Sequence, residues 1–194
     1  MADHLLIDHQ DSALIVIDAQ PAFLDKLPED ERCALVSRIR WLIGVATWLK
    51  VPLVVTAEDL PHLGGPAPEI ARLLPPETRV HNKMIFGLAG DPAILEAVER
   101  TNRKTVVIVG LETDVCVAQS ALGLLEHGYR VVAVADATGS PGTAHAAGLA
   151  RMRDAGVVIL DTKGLYYEWL RTVEQTQRFR GERADLPIPE GMRL

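Results

Sequence analysis

A chain of 194 residues with 48% hydrophobic and 24% charged residues can bury a full core as one domain, without disulfide or metal staples. Its net charge of −6, with no basic run, argues against nucleic acid and against an anionic membrane surface as partners. Two cysteines, Cys33 and Cys116, give no disulfide framework, so reduced thiols are expected. The N-terminus lacks a cationic segment followed by a long apolar core, and no apolar run reaches membrane-spanning length; a cytoplasmic protein is the expectation.

After a polar lead-in, residues 13–17 (ALIVI) form a buried-strand run that stops at Asp18. Ligands of open parallel sheets bind beyond the carboxyl ends of the strands, so an acid there is a site candidate; a turn-forming aspartate before Pro21 is the plainer alternative. Pro28 suits the first position of a helix whose face repeats Leu35, Ile39, Leu42, Ala46 and Leu49, with Trp41 and Trp48 as packing or subunit contacts. Residues 51–56 (VPLVVT) make the second strand, with Pro52 near its start. The loop that follows, AEDLPHLGGPAPE, holds Glu58, Asp59 and His62. These are residue types that ligate metals, but only His81 lies in the neighbouring segment to add a ligand, and solvated loop charges explain them more simply. Residues 79–85 (RVHNKMI) read as a short strand carrying Lys83, a residue that near a strand end is usually a surface charge. Asp91 and Pro92 form a cap and first-position pair for a helix that turns Ile94, Leu95 and Val98 inward.

The richest stretch is 106–120, VVIVGLETDVCVAQS. Four apolar residues make a strand buried on both faces, Gly110 breaks it, and Thr113 and Asp114 are types that accept hydrogen bonds from the first turn of a helix. Cys116 then falls in that first turn, where free amide donors and the positive end of the helix dipole favour thiolate over thiol. A buried structural cysteine is the alternative, and position alone does not decide between them. Residues 130–135 form another buried strand, closed by Asp136 as the first is closed by Asp18. A glycine- and alanine-rich segment (138–150) predicts a loop and a tightly packed helix, 156–160 the last strand, and 165–173 a final helix with Tyr166, Tyr167 and Trp169. A charged tail from about residue 178, with Pro187 and Pro189, is expected to wrap a neighbour or stay mobile. Repeated strand and helix predict one α/β domain over 1–194, its mostly parallel sheet covered on both faces through right-handed crossovers. No G-x-G-x-x-G follows the first strand and no G-x-x-x-x-G-K-[ST] occurs, which disfavours dinucleotide and nucleoside triphosphate binding.

Asp18, Lys83 and Cys116 thus fall at the carboxyl ends of three strands. The segments that carry them, IDAQPAF (17–23), KMIFG (83–87) and GLETDVCVAQSA (110–121), resemble the three signature blocks of the isochorismatase-like cysteine hydrolases, and the order of elements agrees from about 13 to 173. The resemblance implies a three-layer αβα fold with a six-stranded, mostly parallel sheet, a catalytic triad of Asp18, Lys83 and Cys116, homo-oligomers, and a non-proline cis peptide between Leu111 and Glu112. It further implies amide-type hydrolysis of a small molecule through a thioester: Asp18 takes the thiol proton, Cys116 attacks, and backbone N–H groups of Glu112 and Cys116 hold the oxyanion. Lys83 stays charged beside both anions.

Relatives that act on nicotinamide carry an Asp-x-His pair and a later His around a metal. Here the first His position holds Leu60 or Pro61, so no metal and no other cofactor is expected. A metal-containing nicotinamidase and a catalytically idle scaffold are the alternatives; no triad member is missing, which argues against the second. Glu112 either faces the pocket, favouring a cationic or donor-rich substrate, or points away into a structural bond.

Overall fold

The computed structural model describes residues 5–194. Six parallel strands form one sheet: β1 (Ser12–Ile17), β2 (Leu53–Glu58), β3 (Val80–Lys83), β4 (Thr105–Leu111), β5 (Arg130–Gly139) and β6 (Val158–Leu160). Their order is β3-β2-β1-β4-β5-β6. The chain therefore winds outward from β1 to β3, returns to β4 on the other side of β1, and winds outward again. The switch point lies between β1 and β4, where an open α/β sheet leaves a crevice beyond its carboxyl ends.

Alternation along the central strands supplies both faces. Leu14 and Val16 of β1 with Val107, Val109 and Leu111 of β4 enter one apolar cluster, while Ile15, Ile17, Val106 and Ile108 enter the other. The first cluster is closed by α1 (Pro21–Leu24), α2 (Glu29–Leu49), α4 (Pro68–Ala71), α8 (Thr162–Leu170) and α9 (Val173–Glu182). The second is closed by α5 (Pro92–Glu99), α6 (Ala118–Glu126) and α7 (Ala144–Asp154). A short α3 (Leu60–Leu63) follows β2 outside both clusters.

Several boundaries differ from those expected of the sequence, for physical reasons. Pro28 is the cap residue of α2 rather than its first residue, and Glu29, Asp30 and Glu31 fill the first turn, where acidic groups meet the positive helix end. Strand β2 begins at Leu53 and runs two residues past Thr56, because pairing with β3 continues through Ala57↔Asn82 and Glu58↔Lys83. Strand β3 accordingly ends at Lys83. Asp136 does not close β5: the strand bulges there, with its register against β4 slipping between Ile108 and Gly110, and continues to Gly139. The Asp136 carboxylate instead accepts hydrogen bonds from Thr162 and pairs with Arg38 at 3.0 Å.

Beyond residue 178 the chain is docked on this protein's own core. Phe179 is buried among Trp41 (ring centroids 5.3 Å), Trp48 (5.5 Å) and Tyr166 (5.7 Å), and Leu186 is buried in the same cluster. The Trp41 and Trp48 stripe serves that packing.

Candidate active site

The carboxyl ends of β1, β2, β3 and β4 each deliver one reactive side chain to the crevice. Asp18, the residue after β1, turns into the left-handed region at φ 44°, where aspartate is tolerated better than most residues. Its N–H donates to Thr56 O at 3.2 Å, and the Thr56 hydroxyl donates to Asp18 Oδ1 at 2.8 Å, so β2 holds both its backbone and its carboxylate. Two residues on, buried Gln20 clamps the end of β2. Its Oε1 accepts from Glu58 N at 2.7 Å, while its Nε2 donates to Glu58 O at 2.9 Å and to Gly64 O at 2.7 Å. The IDAQ segment thus contributes a buried carboxylate and the brace for the end of β2.

Gly110 brings β4 against β1. It sits at φ 121°, and a Cβ there would overlap Ile17 O, so only glycine permits the approach. The Leu111–Glu112 peptide that follows is cis. A wide π-type turn, Thr113–Val117, then leads into α6 and carries Cys116. Thr113 and Asp114 do not cap this turn through their side chains. Thr113 Oγ1 meets His145 Nδ1 at 2.9 Å, and Asp114 Oδ1 accepts from Ser140 Oγ at 2.7 Å, which tie the turn to α7 and to the residue after β5. Gly148 of α7 allows this contact, since a Cβ there would lie 2.8 Å from both N and Cα of Asp114.

These elements bring Asp18, Lys83 and Cys116 together. Lys83 is fully buried, not a surface charge. Its Nζ lies 2.8 Å from Asp18 Oδ2, 3.6 Å from Cys116 Sγ and 3.8 Å from Glu58 Oε2, and it donates to Ile85 O at 2.9 Å. Glu58, weighed in the sequence only as a metal ligand or a solvated loop charge, belongs to the site. It is no solvated loop charge: it ends β2, and its Oε2 lies 3.4 Å from Cys116 Sγ. The rule that flags Asp18, an acid at the carboxyl end of a parallel strand, flags Glu58 as well once β2 is extended by two residues. Asp59 and His62 belong elsewhere. They pair with each other at 2.7 Å, and the His62 side chain is 78% exposed.

The electrostatics follow from burying one cation among acids. Burial raises the Asp18 carboxyl above its usual range, and Lys83, Thr56 and a hydrogen bond with Cys116 offset only part of that. Burial would lower Lys83, but Asp18, with Cys116 and Glu58 behind it, outweighs the loss and leaves the ammonium above its usual range. For Cys116, burial and then Asp18 push the thiol up from 9.0 to about 12, with Lys83 opposing. This corrects the expectation of a thiolate. The turn's amide donors do not compensate for a nearly buried sulfur facing two carboxylates.

Asp18, Glu58 and Cys116 offer ligand atoms within 4.8 Å of one another. The Lys83 ammonium already occupies the cation's place among them, so the set does not fit a metal, which would have to displace a buried charge. Glu112 is not aimed at this cluster. It pairs with Lys26 at 2.9 Å, the structural bond that was one of the two options open from sequence.

Comparison with known proteins agrees with this architecture. The family model described as Isochorismatase domain matches residues 12–164. The Secreted isochorismatase effector Isc1 of Phytophthora sojae is 33% identical over 175 residues, covering 84% of this chain and 78% of that protein. The Probable hydrolase YcaC of Escherichia coli is 26% identical, covering 88% and 85%. Among solved structures, YcaC from Pseudomonas aeruginosa, described with hexane-2,5-diol and covalent acrylamide, superimposes with a TM-score of 0.81 at 25% identity over 93% of each chain. The Escherichia coli YcaC structure, described as an octameric hydrolase of unknown specificity, gives 0.82 at 22% identity over 96% of this chain and 95% of that one. With its matched domain, its six parallel strands and relatives of this similarity, the chain belongs to the isochorismatase family.

Proposed function

We propose that this isochorismatase-family protein is a metal-independent cysteine hydrolase that cleaves the C–N bond of a small amide-type substrate through a thioester on Cys116. The observation that carries the reading is a nearly buried thiol 3.6 Å from a fully buried ammonium and 3.4 Å from a carboxylate, at the switch point of the sheet. Cys116 attacks the carbonyl carbon as a carboxylate of the cluster takes its proton, a role the signature blocks give to Asp18. The tetrahedral oxyanion rests on the N–H groups of Glu112 and Cys116. Its collapse expels the amine, which leaves with the proton returned by the carboxylate, and water then hydrolyses the thioester. Lys83 stays charged throughout and stabilises the developing thiolate.

The Pseudomonas aeruginosa relative is described with covalent acrylamide, so a group in that protein reacts with an electrophile, in keeping with a nucleophile here. The octameric Escherichia coli relative supports a homo-oligomer here. Exposed Met84, Ile85 and Phe86, directly after Lys83, are suited to a subunit contact. No helix of the described residues is long and apolar enough to cross a membrane. The test is ammonia release from a panel of small primary amides. Wild type turns over at least one of them, and Cys116→Ala lowers that rate roughly 10³-fold or more; equal rates for the two proteins would refute the reading.

A further inference from the structure

Building on that reading, we propose that Glu58 selects the substrate: it confines the site to small amides with a positive charge or hydrogen-bond donors beside the carbonyl, and turns away those with a carboxylate there. The proton exchange stays with Asp18. The sequence leaves a cationic or donor-rich substrate open through Glu112, but that carboxylate is engaged by Lys26. Glu58 takes the role by its position.

Three observations carry this. The first is reach. Glu58 Oε2 lies 3.4 Å from Cys116 Sγ, so a carbonyl carbon bonded to that sulfur brings its substituents within hydrogen-bond range of the carboxylate. The second is access. The side chains of Asp18 and Lys83 are 1% and 0% exposed, while that of Glu58 is 23% exposed. Of these three charges, the one an arriving molecule meets is negative. Gln20 fixes the Glu58 backbone through both N–H and C=O, so that charge extends from a braced strand end and not from a loose loop.

The third is the balance of charge. Two acids share one ammonium, and Lys83 is turned inward, to Asp18 at 2.8 Å and to Ile85 O at 2.9 Å. Cations from the flanking segments are taken as well: Lys26 pairs with Glu112 at 2.9 Å, and His62 with Asp59 at 2.7 Å. None of these cations is left to receive a substrate carboxylate. A carboxylate beside the carbonyl would face a like charge in a partly desolvated crevice, whereas an ammonium or N–H donor would gain a partner there.

Selection by charge can be read on Cys116 without turnover, using three thiosulfonates of similar size: 2-aminoethyl, 2-hydroxyethyl and 2-sulfonatoethyl methanethiosulfonate. Each transfers its substituted ethylthio group to the sulfur as a disulfide and releases methanesulfinate. A Cys33→Ser background removes the exposed second thiol. Modification is followed by intact mass, and each rate is divided by that of the same reagent with 2-mercaptoethanol. We expect the aminoethyl reagent to react about 30-fold or more faster than the sulfonate, with the hydroxyethyl reagent between them. Glu58→Gln should bring the three within about threefold of one another, and Glu58→Asp should retain most of the spread. Asp59→Asn, which removes the neighbouring acid, should leave the spread intact. The spread and not any single rate is the readout, because Glu58, after burial and Asp18, also raises the proton affinity of the thiol. Unfolded in urea, the protein should show three converging rates; a Glu58→Gln protein that reacts at those rates has lost its fold, and Glu58→Ala then carries the test. A wild-type spread below about threefold, one that survives removal of the Glu58 carboxylate, or one that falls equally in Asp59→Asn would overturn the assignment. Failure of all three reagents to modify Cys116 would instead overturn the nucleophile reading, and the role of Glu58 with it.

Discussion

The two faces of the sheet are closed by different kinds of packing. The α2, α8 and α9 face is sealed by large rings, with Trp41, Tyr166 and Phe179 all fully buried and in mutual contact. The face under α5, α6 and α7 is filled by smaller side chains, among them Ala118, Ala121, Val98 and Val117, and Cys116 belongs to its apolar cluster. Gly148 lets α7 approach Asp114 of the cysteine-bearing turn closely, and that closeness holds the turn over the buried charges. The ring-sealed face holds the larger of the two apolar clusters. The other holds chemistry in place at some cost in stability, since charges taken out of water are seldom fully compensated by their pairing.

Substitutions can break this contrast. The largest effect is expected from Lys83→Met, which leaves Asp18 and Glu58 without their cation: a loss of about 3–5 kcal/mol in urea unfolding together with loss of turnover. Phe179→Ala should cost a similar or slightly smaller amount, about 3–5 kcal/mol, through an unfilled space among the aromatic rings. Its turnover at low temperature should stay near wild type, and a large fall in the folded variant would mean that the two faces are not separable.

Alkaline stability gives a subtler contrast. The folded Cys116 thiol is raised from 9.0 to about 12, so its contribution is fully present below pH 9 and is lost as pH rises toward 12. Lys83, also raised, adds to the loss in the same direction. Thermal unfolding of wild type should therefore weaken more steeply above pH 9 than that of Cys116→Ala. The smallest effect is expected from Lys26→Ala, below about 1 kcal/mol, because the Lys26 partner of Glu112 is well exposed.

The succession of strands and helices and the buried runs were legible in the sequence, because period and turn residues leave local marks, and Asp18, Lys83 and Cys116 were legible as strand-end residues joined by the signature blocks that carry them; the order of the strands in the sheet was not. Nor was the place of Glu58 in the site, since a strand that ends in Thr-Ala-Glu loses its apolar signature two residues before its pairing stops. The burial of Lys83 was equally hidden: a polar strand gives no sign that its last residue is enclosed by acids from β1 and β2. The state of Cys116 was misread because helix-terminus arguments count nearby amides and omit the carboxylates that the fold brings from elsewhere. The tail's anchor, Phe179, stands alone in a polar segment, and only its partners Trp41, Trp48 and Tyr166 explain it.

The central claim, a thioester on Cys116, is tested most directly by acid-quenching the protein during turnover of an amide it hydrolyses and mapping the trapped mass. The account predicts an acyl group on the peptide that contains Cys116 and none on the peptide that contains Cys33. Continued hydrolysis by Cys116→Ala, or turnover with no acyl group on Cys116 at any quench time, would contradict it.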